Sequence, residues 1–61
     1  MLVKLHEFTD GHNLTGQVYK TKGKEPFMVL LYRAEDDYND MKLFSNEQDA
    51  EDAAEDWVLQ K

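Results

Sequence analysis

A stripe of small apolar residues near the end of the chain constrains the fold more than any other feature. Apolar side chains recur there at i, i+3, i+4, i+7 and i+8, the spacing that lines one face of an α-helix. The stripe consists of Ala50, Ala53, Ala54, Trp57 and Val58. Ser45 and Gln48 have the spacing of a capping box, which predicts a helix over about 46–60. Its alanines allow a second layer to approach the helix closely, and Trp57 supplies a large apolar anchor.

The preceding residues have the pattern of short strands separated by turns. Predicted strands cover about residues 2–8, 15–21, 27–32 and 41–44, with turn-forming residues clustered at 9–13, 22–26 and 35–40. Strands followed by one amphipathic helix are typical of the α+β class. We therefore expect a single domain, 1–61, with an antiparallel three- to four-stranded sheet over about 2–44. The C-terminal helix should pack on one face of that sheet.

The predicted core combines the helix stripe with apolar residues of the strands. Its members are Leu5, Val18, Phe27, Val29, Leu31, Phe44, Ala50, Ala54, Trp57 and Val58. The run 27–32 is apolar on both faces, so its register leaves two alternatives. In the predicted core, the odd-numbered residues of this run face the helix. In the other register, Met28, Leu30 and Tyr32 face it instead. An apolar outer face would also favour a homodimer formed sheet to sheet.

Length and composition narrow the class of protein. Domains of 61 residues bury only about 60% of the surface that their unfolded chains expose, which argues against a deep catalytic cleft and hence against an enzyme. The absence of cysteine excludes disulfides, thiolate metal sites and thiol nucleophiles, and it favours a reducing compartment, the cytoplasm. The residues MLVKLHEF do not have the pattern of a secretion signal, so we expect an untargeted chain. The longest apolar run, 27–32, falls far short of the roughly 20 residues that a membrane span needs.

Charge is distributed unevenly along the chain. Residues 1–34 carry five basic and three acidic side chains, whereas residues 35–61 carry two basic and ten acidic ones. Six helix acids lie opposite the apolar stripe: Glu47, Asp49, Glu51, Asp52, Glu55 and Asp56. Several of them are like-charged at i,i+4, and each such pair costs about 0.2–0.5 kcal/mol. Solubility or a binding partner must compensate for this cost.

The acidic residues have two main interpretations, because a third, salt adaptation of an entire proteome, is disfavoured by the six lysines among the seven basic residues. They form either a solvated face that serves only solubility in a structural or accessory module, or a surface that binds a basic protein. In the second case the predicted contact residues are Glu35, Asp36, Asp37, Asp40, Glu47, Glu51, Asp52, Glu55 and Asp56. Carboxylates in rows along a helix resemble the phosphates of a nucleic acid strand, as in DNA-mimic proteins, many of them small phage-encoded inhibitors. That resemblance implies an inhibitor or modulator of a nucleic-acid-binding protein, acting in the host cytoplasm if phage-encoded.

Two further resemblances concern layout. The segment FSNEQDAEDAAEDW, residues 44–57, resembles the strand-to-helix junction of small phage proteins that inhibit bacterial RNA polymerase. The order of strands, hairpin and helix is similar to that of the arm-type DNA-binding domains of tyrosine recombinases. A group of basic and aromatic residues has the composition of a nucleic-acid face: Tyr19, Lys20, Lys22, Lys24, Tyr32 and Arg33. The acidic half of the chain opposes direct nucleic-acid binding, so a protein partner is expected.

Candidate metal and catalytic groups are less well defined. The acids around 36–47 lack the EF-hand spacing, since Met41 stands where the sharp turn needs glycine. His6, Asp10 and His12 have zinc-ligating side chains, but no spacing brings them together, and two surface histidines explain them equally well. Ser45 is assigned to the helix cap, and the carboxylates of an exposed acidic face are poor general acids at neutral pH. The sequence therefore predicts no metal, no cofactor and no catalytic residue.

Overall fold

The computed structural model describes residues 2–59, and four antiparallel strands and one helix account for most of them. The elements are β1 (Val3–Thr9), β2 (Leu14–Lys20), β3 (Phe27–Arg33), β4 (Tyr38–Phe44) and α1 (Glu47–Leu59). The strands pair in chain order, β1-β2-β3-β4, and α1 packs on one face of the sheet. The predicted α+β class and C-terminal helix are confirmed. The predicted helix end, Gln60, lies outside the described residues.

The acidic segment before β4 forms a shorter turn than the sequence suggested. Arg33 pairs with Tyr38, so the connection between β3 and β4 spans only residues 34–37. Asp37 adopts a positive φ of 54°, a conformation that aspartate tolerates better than most residues. The prediction that β4 begins at Met41 was therefore wrong, because three residues assigned to the turn belong to the strand.

The core lies between α1 and the two central strands. Val18 and Val29 are paired across β2 and β3 and are fully buried. Buried Leu31, Ala50 and Ala54 join them, and a ring of partly buried side chains surrounds this group: Leu5, Phe8, Phe27, Phe44 and Trp57. The register that turns the odd-numbered residues of 27–32 inward is the observed one. Leu14, only 6% exposed, is a core residue that the sequence analysis missed because it follows the turn formers directly.

Helix α1 begins with a side-chain cap at Asn46. The Asn46 Oδ1 accepts a hydrogen bond from the backbone N–H of Asp49 at 2.8 Å, and Asn46 Nδ2 donates to the Asp49 carboxylate at 2.9 Å. This is the geometry of an N-cap residue bonding the N3 amide. The capping role assigned to Ser45 was wrong by one residue, since asparagine and serine are comparable N-caps and stand side by side here.

The Asn46 cap leads to a prediction about stability, for which the neighbouring residue Ser45 provides the control. Replacing Asn46 by alanine leaves the Asp49 amide without its side-chain acceptor and should lower the free energy of unfolding by about 1 kcal/mol. The variant Ser45→Ala should change it by less than about 0.5 kcal/mol. Urea denaturation followed by circular dichroism measures both values. Equal losses in the two variants would contradict the assignment of the cap.

Candidate functional site

The acidic side chains of α1 receive little compensation from the cationic side chains of residues 2–59. Across residues 2–59, no Lys or Arg side chain forms an ion pair with an acid of the helix. Asp52 accepts a hydrogen bond from Gln48, whereas Glu55 and Asp56 are exposed and make no hydrogen bond or ion pair within that range. The last turn of α1 contains no basic residue. Glu55 and Asp56 therefore add negative charge near the end where the helix dipole is already negative.

The turn acids occupy a different position from those of the helix. Residues 35–37 lie in the turn between β3 and β4, where Asp36 accepts two hydrogen bonds from the guanidinium of Arg33, at 2.9 and 2.8 Å. Asp40 pairs with Leu31 across the strands, so it lies on the helix side of the sheet and is only partly exposed. The predicted contact set is thus divided between the helix, one turn and one strand. Its role in binding a partner stays a prediction.

A third group of charged residues joins the start of the helix to β1. The Nε2 atom of His6 lies 3.0 Å from Glu47 Oε2 and 3.1 Å from Glu51 Oε2. The side chains of these residues are half-exposed, at 38%, 46% and 30% respectively. The contact with His6 is the largest cause that holds the pKa of Glu47 below its usual range. Two of the acids predicted to contact a partner are thus already engaged within the fold.

A β-bulge in β1 puts His6 on the helix side. Lys4 pairs with Tyr19 and His6 pairs with Val18, so two steps along β1 correspond to one step along β2. Strict alternation would leave Lys4 and His6 on the same face, away from the helix. The extra residue turns the imidazole toward α1. Bulges often re-aim a functional side chain in this way.

The zinc-ligating residues considered from sequence do not come together as a set. Asp10 Oδ1 instead accepts the backbone N–H groups of His12 and Leu14, at 2.8 and 3.1 Å, and so shapes the turn between β1 and β2. His6 meets carboxylates 41 and 45 positions further along the chain. No local spacing signals such a contact, which is why the sequence analysis did not find it.

The basic and aromatic residues proposed as a nucleic-acid face are also separated. Lys20 ends β2 and Lys24 lies in the turn before β3, whereas Arg33 ends β3. The seven extended residues of β3 place Arg33 about 20 Å from that turn. The Arg33 guanidinium lies 5.1 Å from the centre of the Tyr38 ring and 5.8 Å from that of Trp57. Arg33 therefore belongs to an intramolecular cluster, and the compact basic face suggested by the sequence does not form.

The sheet face opposite the helix is open and centrally apolar. A shallow depression of about 660 Å³ lies there, and its lining includes Leu30, Tyr32 and Met41, with Glu7 and Gln17 at its polar side. The side chain of Met41 is 53% exposed. Because the register buries the other face of β3, this face remains available for contact with another molecule.

The Arg33–Asp36 pair predicts how stability depends on pH. The hydrogen bonds that Arg33 donates to the carboxylate of Asp36 hold the pKa of Asp36 below the ordinary value of about 3.9. The stabilisation is therefore present above that ordinary value and is lost as the pH falls through the lower pKa of the folded chain. The variant Asp36→Asn should lose less stability than the unaltered protein between about pH 5 and 2.

Thermal unfolding at a series of pH values measures this difference. In an Arg33→Gln background, Asp36→Asn should change the pH dependence less, because the largest cause of the lowered pKa is gone and only backbone hydrogen bonds still lower it. An undiminished difference in that background would contradict the assigned cause.

Fold and side-chain geometry define a small α+β protein with an acidic helix face, a mixed histidine–glutamate cluster and an open apolar sheet face. Within residues 2–59, no helix is long and apolar enough to cross a membrane. Comparison of the chain with protein-family models, with curated proteins and with solved structures found no match. Its function is therefore inferred from the chemistry of its own residues.

Proposed function

We propose that this chain is a small, non-enzymatic cytoplasmic protein that binds a basic surface of another protein through its acidic helix face. The observation that carries the proposal is the lack of any Lys or Arg partner for the helix acids within residues 2–59. Proteins with a strong surface potential of one sign attract partners of the other sign and accelerate their association. The proposed partner is a nucleic-acid-binding protein, and the proposed effect is inhibition or modulation by mimicry of DNA.

The acids at the two ends of α1 differ in how far the rest of the fold offsets their negative charge, and this difference supports the proposal. Glu47 is close to the positive N-terminal end of the helix and also contacts His6. Glu55 and Asp56 have neither advantage, so folding alone would favour neutral or basic residues at their positions. A basic partner would relieve the repulsion among them. We therefore assign the centre of the contact to Asp52, Glu55 and Asp56.

Charge reversal at these positions tests the proposal. A chain carrying Asp52→Lys, Glu55→Lys and Asp56→Lys should fold, yet lose the basic proteins that the unaltered chain captures from a host lysate. Glu25→Lys is a matched control for Glu55→Lys, since both acids are exposed and make no hydrogen bond or ion pair within residues 2–59. Glu55→Lys alone should weaken capture, whereas Glu25→Lys should not.

Salt and DNA provide an independent test. The screening length falls from about 10 Å at 0.1 M salt to about 3 Å at 1 M, so capture should decline steeply over that range. Duplex DNA should displace the captured protein because both compete for the same basic surface. Capture that is insensitive to salt and to the lysine substitutions would reject the acidic face as the interface.

The open sheet face favours a second candidate function, that of an accessory module dimerised through the sheet. Met41 and Leu43 are 53% and 45% exposed beside the apolar residues of β3. Burial of such a patch between two copies is a common way for small domains to gain stability. Sedimentation should then show a dimer that Met41→Lys dissociates, and the acidic helix would serve solubility only. A monomer at high concentration rejects this candidate.

A further inference from the structure

We propose that His6, Glu47 and Glu51 form a binding site for a divalent transition metal such as zinc. Each residue offers one ligand atom, and these three atoms lie within 4.8 Å of one another. Ligands of tetrahedral zinc lie about 2.0–2.2 Å from the metal, so two of them are roughly 3.3–3.6 Å apart. The observed distances from His6 Nε2, 3.0 and 3.1 Å, come within a few tenths of an ångström of that geometry.

Without a cation, the hydrogen bonding of this cluster is incomplete. The Nε2 atom of an imidazole carries at most one hydrogen, yet two carboxylate oxygens approach it. Glu47 and Glu51 are also like-charged neighbours at i,i+4, an arrangement that destabilises a helix. A divalent ion bonds a lone pair from each of the three ligands and removes the repulsion between the carboxylates.

Two structural elements fix the ligands independently of any ion. Asn46 caps the helix one residue before Glu47, and Glu51 follows one turn later on the same face. His6 comes from β1, where the bulge turns it toward α1. The side chains are only half-buried, which leaves room for water to complete the coordination shell, as in open zinc sites.

The ligand set discriminates among ions. Magnesium and calcium prefer six or more oxygen ligands, and neither favours imidazole nitrogen. Zinc binds histidine and carboxylate together and accepts three protein ligands plus water. The site should therefore bind zinc in the presence of millimolar magnesium or calcium. A bound ion would bridge β1 and α1, so zinc should raise the melting temperature of the folded chain.

Isothermal titration of the full chain with zinc chloride, in a buffer that does not chelate zinc, tests the site. One equivalent should bind, and His6→Ala should weaken binding at least about tenfold, since loss of a ligand exceeds the usual effect of a group that only orients one. Glu51→Gln should weaken it as well. His12→Ala is the matched control because His12 lies in the exposed turn after β1, and it should leave binding unchanged.

Measurements on the unaltered chain and on the acidic face complete the test. Zinc should shift the NMR signals of the His6 ring and leave those of His12 in place, a readout that needs no substitution. Glu55→Gln with Asp56→Asn should retain zinc binding, which separates this site from the docking face proposed above. Equal loss in the His12 or the Glu55/Asp56 variants, or undiminished binding in His6→Ala, would overturn the proposal.

Discussion

The variant Gly16→Ala is expected to lower the free energy of unfolding by about 3 kcal/mol, at the upper end of the range for overpacked cores. Gly16 lies in β2 beneath the helix, and a Cβ atom there would lie 2.9 Å from the carbonyl oxygen of Ala54 and 3.0 Å from its Cβ. The first of these contacts is with backbone, so no side-chain rotation relieves it. The helix must move away from the sheet, which opens the core around Val18 and Val29.

Gly11→Ala is the matched control for this prediction. Gly11 adopts a φ of +75°, but a Cβ at that position would have no atom within 4 Å. Its replacement should cost only the backbone strain of a left-handed alanine, about 1–2 kcal/mol. Urea denaturation monitored by the fluorescence of Trp57, the single tryptophan, reports both values. If Gly16→Ala lowers the free energy of unfolding by no more than Gly11→Ala does, helix and sheet are not as closely packed at Gly16 as described.

The same contact explains why the helix was predictable from sequence. Ala50 and Ala54 are fully buried where α1 crosses the sheet. Small side chains at helical spacing indicate such close packing directly in the sequence. The partner residue, Gly16, carries no comparable signal, because a glycine between turn and strand residues has several explanations. Periodicity thus identified the helix and its buried face but not the position beneath it.

The register of β3 and the candidate metal cluster were less accessible to sequence reasoning, for different reasons. Residues 27–32 are apolar on both faces, so alternation alone left two registers open. The burial of Val29 and Leu31 against the helix alanines decides between them. His6 required a bulge to reach α1, and a bulge reverses the face that alternation predicts. Contacts between residues about 40 positions apart depend on the assembled fold, whereas the acidic face could be derived from one helix.

Trp57→Ala is expected to lower the free energy of unfolding by about 3 kcal/mol, near the lower limit for tryptophan truncation because the ring is only partly buried. The indole stacks on Tyr38 with ring centres 5.8 Å apart, and the Arg33 guanidinium lies over its face. Its Nε1–H also donates a hydrogen bond to the backbone carbonyl of Tyr32 at 3.2 Å. The side chain thus ties the end of α1 to β3 and β4.

Two further substitutions separate these contributions. Trp57→Phe keeps much of the ring contact but loses the hydrogen bond. It should lower the free energy of unfolding by about 1 kcal/mol more than the control variant Leu59→Ala does. Leu59 is 54% exposed, so its truncation should change stability by less than about 0.5 kcal/mol. Circular dichroism in urea measures all three variants, including those without tryptophan fluorescence. Equal losses for Leu59→Ala and Trp57→Ala would mean that the end of the helix is not anchored through the indole. If the proposed function holds, a folded Trp57→Phe chain should bind a basic partner as the unaltered chain does, because Trp57 faces the sheet and not the acidic side of the helix.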